Sequence, residues 1–155
     1  MKTLFTLALS LAAYSGYSQW TIHKVADDPF EKPYTICSNT ATDDNLMMKM
    51  EYSDEKKVIY FYVTAGYVCE DKPLVQINGK INDVWTPIYS GNAVYVGKNK
   101  TVIISMDWKS TTWMETFLSA TDIAIKINDG SCDNEQGMFS NLNAKKASES
   151  WNEQP

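Results

Sequence analysis

LMMKMEYSDEKKVIYFYVTAGYVC, residues 46–69, decides how this chain folds. Its second half, 57–69, is the longest apolar run after the first twenty residues, and its first half alternates apolar and polar side chains. With 53–56 as a four-residue loop, Leu46, Met48 and Met50 fall opposite Val63, Phe61 and Ile59 across an antiparallel pair. Met47, Lys49 and Glu51 then fall opposite Tyr62, Tyr60 and Val58. Opposite residues share a face, so this register gives one wholly apolar face and one mixed face, the pattern of a sheet with its back to water. A one-residue slip would carry Lys49 or Glu51 into the core.

Upstream of this hairpin, 20–25 alternates as a first strand, Pro29 and Pro33 end it, and 34–37 forms a short second strand before a polar loop over 38–45. Downstream, 74–77 runs into Asn78-Gly79, a two-residue hairpin signal, and 84–89 carries Pro87, which confines it to a sheet edge or a bulge. Ser90-Gly91-Asn92 turns the chain into 93–96, residues 97–100 turn it again, and Val-Ile-Ile centres a strand over 101–106. The β pattern then breaks. Thr112 followed by Glu115 is a capping pair, and Trp113 with Phe117 is an i, i+4 apolar pair, so the sequence predicts one short helix over 113–119. Ile123, Ile125 and Ile127 share one face of a strand over 122–128, and 138–142 reads as a last short strand.

Short strands at this spacing predict an all-β fold, an antiparallel β-sandwich of about eight or nine strands with the single helix covering an open end. A chain of 155 residues with 44% hydrophobic and 21% charged residues suits one such domain. The domain is assigned to 19–143, and 144–155 to a polar C-terminal tail that frays or forms a last short helix ending at Trp151. Residues 1–18 read as a signal peptide: Met1-Lys2 supplies the positive start, 4–14 the apolar stretch, and Ser15-Gly16-Tyr17-Ser18 the small residues before cleavage after Ser18. The apolar stretch falls short of the roughly 20 residues that span a bilayer, so the chain is expected to be secreted or periplasmic rather than membrane-spanning.

Removing the leader takes away one lysine and no acid, moving the formal charge from −5 to −6, and the chain contains no arginine. Nucleic acid is therefore excluded as a partner, and nucleotides and anionic lipids are disfavoured, because those ligands are gripped by basic residues and the guanidinium fork above all. Three cysteines, Cys37, Cys69 and Cys132, allow three pairings in an oxidising compartment. Cys69 with Cys132 is favoured, since each follows a strong strand whose ends could be neighbours. Cys37 is then a buried small hydrophobe or the contact for an intermolecular bond.

No catalytic residue, metal site or cofactor emerges. His23 is the only histidine, it has no nucleophile motif such as G-x-S-x-G to serve, and the cysteines lack C-x-x-C spacing for zinc. Carboxylates cluster in predicted loops, at Asp27-Asp28, Asp43-Asp44, Glu70-Asp71 and the group Asp129, Asp133 and Glu135, where they could converge on Ca²⁺ but are also ordinary turn residues. The solvated-turn reading is preferred. Aromatic side chains are the functional lead: Tyr60 and Tyr62 point to the mixed face beside Lys49 and Glu51, and Trp85, Tyr89 and Trp108 lie at strand ends near the helix. These five are the candidate ligand-binding residues, because flat rings beside hydrogen-bonding groups suit sugar rings or an apolar protein patch, although the preferred reading is that the Trp residues are core and the Tyr residues cover the sheet.

Trp20, Asp28-Pro29-Phe30, the Gly-Tyr-x-Cys-x-Asp of 66–71 and the Ile-x-Ile-x-Asp-Gly-x-Cys of 125–132 resemble segments of a scattered group of small exported bacterial proteins without assigned function. That resemblance implies export and a β-rich fold and supplies no active site. The expectation is thus an exported non-enzymatic binding or structural domain of the cell envelope or extracellular space, with an unknown protein or a glycan as partner. Its rivals are a carbohydrate-binding module using exposed aromatics, a small carboxylate-based hydrolase, and a purely structural or inhibitory envelope protein.

Overall fold

The structure is a computed structural model and describes residues 20–25, 34–40, 46–53, 58–66, 68–97, 100–107 and 110–152. The elements are β1 (Thr21–Val25), β2 (Tyr34–Thr40), β3 (Met47–Ser53), β4 (Val58–Thr64), β5 (Leu74–Ile81), β6 (Val84–Asn92), β7 (Tyr95–Val96), β8 (Thr101–Asp107), α1 (Thr111–Ser119), β9 (Asp122–Asn128), β10 (Glu135–Ser140) and α2 (Ala144–Asn152). The strands make two antiparallel sheets, a six-stranded one in the order β1-β2-β3-β4-β8-β7 and a four-stranded one in the order β10-β9-β5-β6. Their inner faces enclose the core, so the expected β-sandwich stands, with one strand more than expected at the upper end of the range and a second helix.

The hairpin within 46–69 is β3–β4. Its register is Met48 opposite Val63 and Met50 opposite Phe61, displaced by two residues from the expected pairing because Ser53 joins the ladder opposite Val58. Two residues is one full side-chain period, so every residue keeps its expected face. Met48, Met50, Ile59, Phe61 and Val63 are fully buried, and Cys37 on β2 and Ile104 on β8 extend the Met50–Phe61 row across the sheet. Opposite them stand Val75, Ile77, Ile123, Ile125, Ile127 and Phe139 of the four-stranded sheet, each side chain worth about 1.5–3 kcal/mol of burial.

The expected turn at Asn78-Gly79 is not one. β5 runs straight through it to Ile81, and the chain reverses at Asn82 and Asp83, whose φ angles of 49° and 62° make the two-residue turn that suits a twisted hairpin. Gly79 serves a different need. A Cβ there would lie 2.8 Å from the Ala120 Cβ and 2.9 Å from the Ile88 Cδ1, so glycine lets β5 pass beneath the end of α1. Gly79→Ala is expected to cost about 1–3 kcal/mol in chemical denaturation, because Ala120 is fixed to backbone and must shift. Ser90-Gly91-Asn92, expected as a turn, instead extends β6 opposite Leu74 to Gln76. Pro87 does sit on an edge strand and beside a bulge: Ile77 pairs with Tyr89 and Asn78 with Pro87, leaving Ile88 as the extra residue.

α1 starts at Thr111 behind the cap residue Ser110, two residues ahead of the expected Thr112 cap, and Ser110 makes no side-chain capping bond. The expected Trp113–Phe117 pair is present, with ring centroids 6.3 Å apart, and it enters the core edge-on against Phe61, 5.9 Å from each ring. Trp20 closes this aromatic cluster at 5.8 Å from Phe117. The indole N–H of Trp20 donates to Asn141 Oδ1 at 2.7 Å, and Asn141 Nδ2 donates to the carbonyls of Phe117 at 2.5 Å and Ala120 at 3.1 Å. One buried amide thus satisfies the end of α1 and anchors the start of β1. Residues 144–152 take the helical alternative of the two expected for the C-terminal segment. α2 buries Ala144 and Ala147, and the Cys37 thiol lies 3.7 Å from the Ala147 carbonyl, so α2 covers β1 and β2.

Candidate functional site

Side chains alternate across the six-stranded sheet, so its outer face carries rows of residues that are neighbours in the ladder. One row runs Thr21, Ser38, Lys49, Tyr62, Ile103, Tyr95, and the next runs His23, Ile36, Glu51, Tyr60, Ser105. Tyr60 and Tyr62 are half-buried with ring centroids 6.3 Å apart, and Tyr95 is 56% exposed. The Lys49 ammonium lies 5.4 Å from the centre of the Tyr62 ring, within cation–π range. Glu51 accepts a hydrogen bond from the Tyr62 hydroxyl. The result is a sheet face carrying phenol rings, the Tyr60 and Tyr62 planes tilted by 52°, beside a lysine, a glutamate and several hydroxyls.

Burial first, then the charge and hydrogen bond of Glu51 and the neighbouring Tyr60, push the Tyr62 pKa up from 10.0 to about 12. The neutral phenol is favoured in the fold, a contribution complete below pH 10 and lost as pH rises through about 12. Spectrophotometric titration is expected to find one tyrosine ionising about two pH units late. Glu51→Gln is expected to bring that value down part of the way toward 10, since burial remains.

A groove of about 400 Å³ opens beside this face, between β6 at Pro87 and Tyr89, β8 at Ser105 and Asp107, and α1 at Thr112 and Thr116. Ser105 is the ladder partner of Tyr60, so the groove begins one strand away from the tyrosine face. Tyr89 is held there by donating from its hydroxyl to the Asn92 carbonyl at 3.1 Å, and burial raises its pKa.

The sequence candidates are not brought together. Tyr60 and Tyr62 share the outer face of the six-stranded sheet, and Tyr89 lines the groove. Trp85, 41% exposed, stands opposite Lys80 on the outer face of the other sheet, and Trp108 lies outside the described residues. Tyr95 and Ser105 were missed as site residues. The sequence pointed the other way for Tyr95, since a turn over 97–100 would set it opposite buried Val102, whereas it pairs with Ile103 and so joins the Tyr62 row.

The Cys69–Cys132 disulfide is formed as expected, with Cα atoms 5.9 Å apart, and ties the middle of the β4–β5 connection to the β9–β10 turn. Asp129 organises that corner. Its carboxylate accepts from the backbone N–H groups of Cys69, of Glu70 at 3.2 Å and of Ser131 at 3.1 Å. Burial pushes its pKa up, but these donors and the Cys132 N–H outweigh it and hold the group below the usual carboxylate range. Cys69, Asp129 and Cys132 bring their ligand atoms within 4.8 Å of one another, yet the two sulfurs are spent on their own bond. This loop therefore reads as a braced turn. Asp27-Asp28 and Asp43-Asp44 lie outside the described residues, as does the whole of 1–18. Cys37 is buried against α2, the small-hydrophobe alternative, and is closed to intermolecular bonding while α2 is in place.

No protein-family model, curated protein or solved structure matches this chain. Among the described residues, no helix is long and apolar enough to cross a membrane.

Proposed function

We propose that the chain is an exported, non-enzymatic binding domain that works at the cell envelope or outside the cell, and that the outer tyrosine face of the six-stranded sheet holds a glycan. The observation that carries the reading is the set of Tyr60, Tyr62 and Tyr95 on one sheet face, with Lys49 and Glu51 flanking Tyr60 and Tyr62 on β3. Sugar rings have a carbon–hydrogen face that packs on such phenols and a hydroxyl rim that the flanking charges can bond. Export is supported by the leader pattern of 1–18, by the likeness to small exported bacterial proteins, and by a disulfide, which persists in oxidising compartments. The use of Asp129 as a backbone brace favours binding over hydrolysis.

A glycan array probed with the purified protein tests this. At least one glycan is expected to bind, with Tyr60→Ala and Tyr62→Ala each weakening it about tenfold, the loss of one ring contact of about 1–1.5 kcal/mol. A blank array would remove the reading, and cleavage of the bound glycan would replace it with the hydrolase.

A further inference from the structure

The groove at the edge of the tyrosine face has the make-up of a sugar-ring subsite. Its volume of about 400 Å³ sits at the lower end of the roughly 300–1,000 Å³ usual for small-molecule sites, enough for one or two rings. Pro87, Tyr89 and Trp113 give it carbon surface, and Ser105, Thr112 and Thr116 ring that surface with hydroxyls. The polar tips of both aromatic residues are anchored, Trp113 Nε1 donating to the Asp107 carbonyl at 2.8 Å and Tyr89 to Asn92 at 3.1 Å, so the rings are held in place before a ligand arrives. Asp107 is the single charged residue among the described lining residues, and no lysine is among them. Among the described lining residues a phosphate or a uronate would meet a carboxylate and no cation, and charge complementarity there favours an uncharged ring.

Position adds the second argument. Ser105 lies across the ladder from Tyr60, so a chain lying on the tyrosine face reaches the groove by passing the side of β8 that, among the described strands, β7 pairs only at Val102 and Ile103. We propose that the groove is the end subsite of the glycan surface, taking the terminal, uncharged sugar ring of the chain whose body rests on Tyr60 and Tyr62. This rests on the glycan reading of the tyrosine face. The terminal ring packs its carbon face on Tyr89 and Pro87 and bonds its hydroxyls to Asp107, Ser105 and Thr112.

The test is a ¹⁵N NMR titration of the purified protein with glucose, galactose, N-acetylglucosamine and glucuronate. At least one neutral sugar is expected to shift the Trp113 indole N–H saturably, and glucuronate is expected to bind about tenfold more weakly. Asp107→Asn and Thr112→Val, both isosteric at exposed positions, are each expected to weaken the neutral sugar about tenfold, with spectral dispersion showing that the fold is kept. No saturable shift at Trp113 from any neutral sugar, glucuronate binding as tight as the best of them, or affinity unchanged in both variants would each overturn the proposal. Single sugars report on the groove and Tyr62→Ala on the array reports on the face, so either reading can fail while the other stands.

Discussion

Replacing Asn141 with alanine is expected to lower stability by about 4 kcal/mol, read as a fall in the urea midpoint at unchanged slope. The side chain is buried and serves three partners at once: the Trp20 indole, and the Phe117 and Ala120 carbonyls that end α1. Alanine leaves the Trp20 indole and the Ala120 carbonyl without this partner and the Phe117 carbonyl with only the Ala120 N–H at 3.4 Å, in a place water reaches poorly, and each orphaned group costs about 1–3 kcal/mol. Asn141→Asp is expected to fare no better, because it keeps the acceptor for Trp20 but loses both donors and buries a charge. Leu142→Ala is the control, since Leu142 is exposed and its loss should stay within about 0.5 kcal/mol. A cost below about 1 kcal/mol for Asn141→Ala would mean that the amide is not the tie between β1 and α1.

The second large effect is expected from the disulfide. Cys69 and Cys132 are separated by 63 residues, and opening a loop of that length costs about 4 kcal/mol through the freedom returned to the unfolded chain. The Cys69→Ala, Cys132→Ala double variant should show this loss in urea denaturation, and the wild type treated with a thiol reductant should match it. The corner keeps a second brace in Asp129, which bonds backbone groups and does not need the sulfurs. Because the Asp129 pKa is lowered in the fold, its contribution is present at neutral pH and is lost as pH falls below the ordinary value of 3.8 through the folded one. The double variant is therefore expected to lose further stability in acid, and Asp129→Asn to flatten that acid limb when midpoints at pH 7 and pH 3 are compared.

The reading of 46–69 survived a wrong register because alternation has a period of two: Ser53 lengthened the ladder, the pairing moved by two, and Met50 and Phe61 stayed inside together. Trp113 with Phe117 was legible for a similar reason, one turn of helix bringing them to one side. Gly79 was misread because glycine marks both turns and close approaches, and only the position of Ala120 and Ile88 separates the two. α2 was hard to see because its buried side is made of Ala144 and Ala147, which carry little apolar signal and matter through their smallness against Cys37. The candidate site was half legible. Tyr60 and Tyr62 followed from the hairpin, but Trp85 was grouped with them by residue type, and which sheet β6 joins is set by its pairing with β5, far from Tyr60 in the fold.

Pro87 and the extra residue Ile88 lie on β6, the outermost strand of the four-stranded sheet. Proline has no N–H to offer a strand laid alongside, and the bulge throws such a strand out of step. Another copy of the protein approaching this margin thus meets a gap where a backbone ladder would have to continue. The interruption that shaped one hairpin also marks where the sheet ends, and it makes that margin a poor template for edge-to-edge strand pairing.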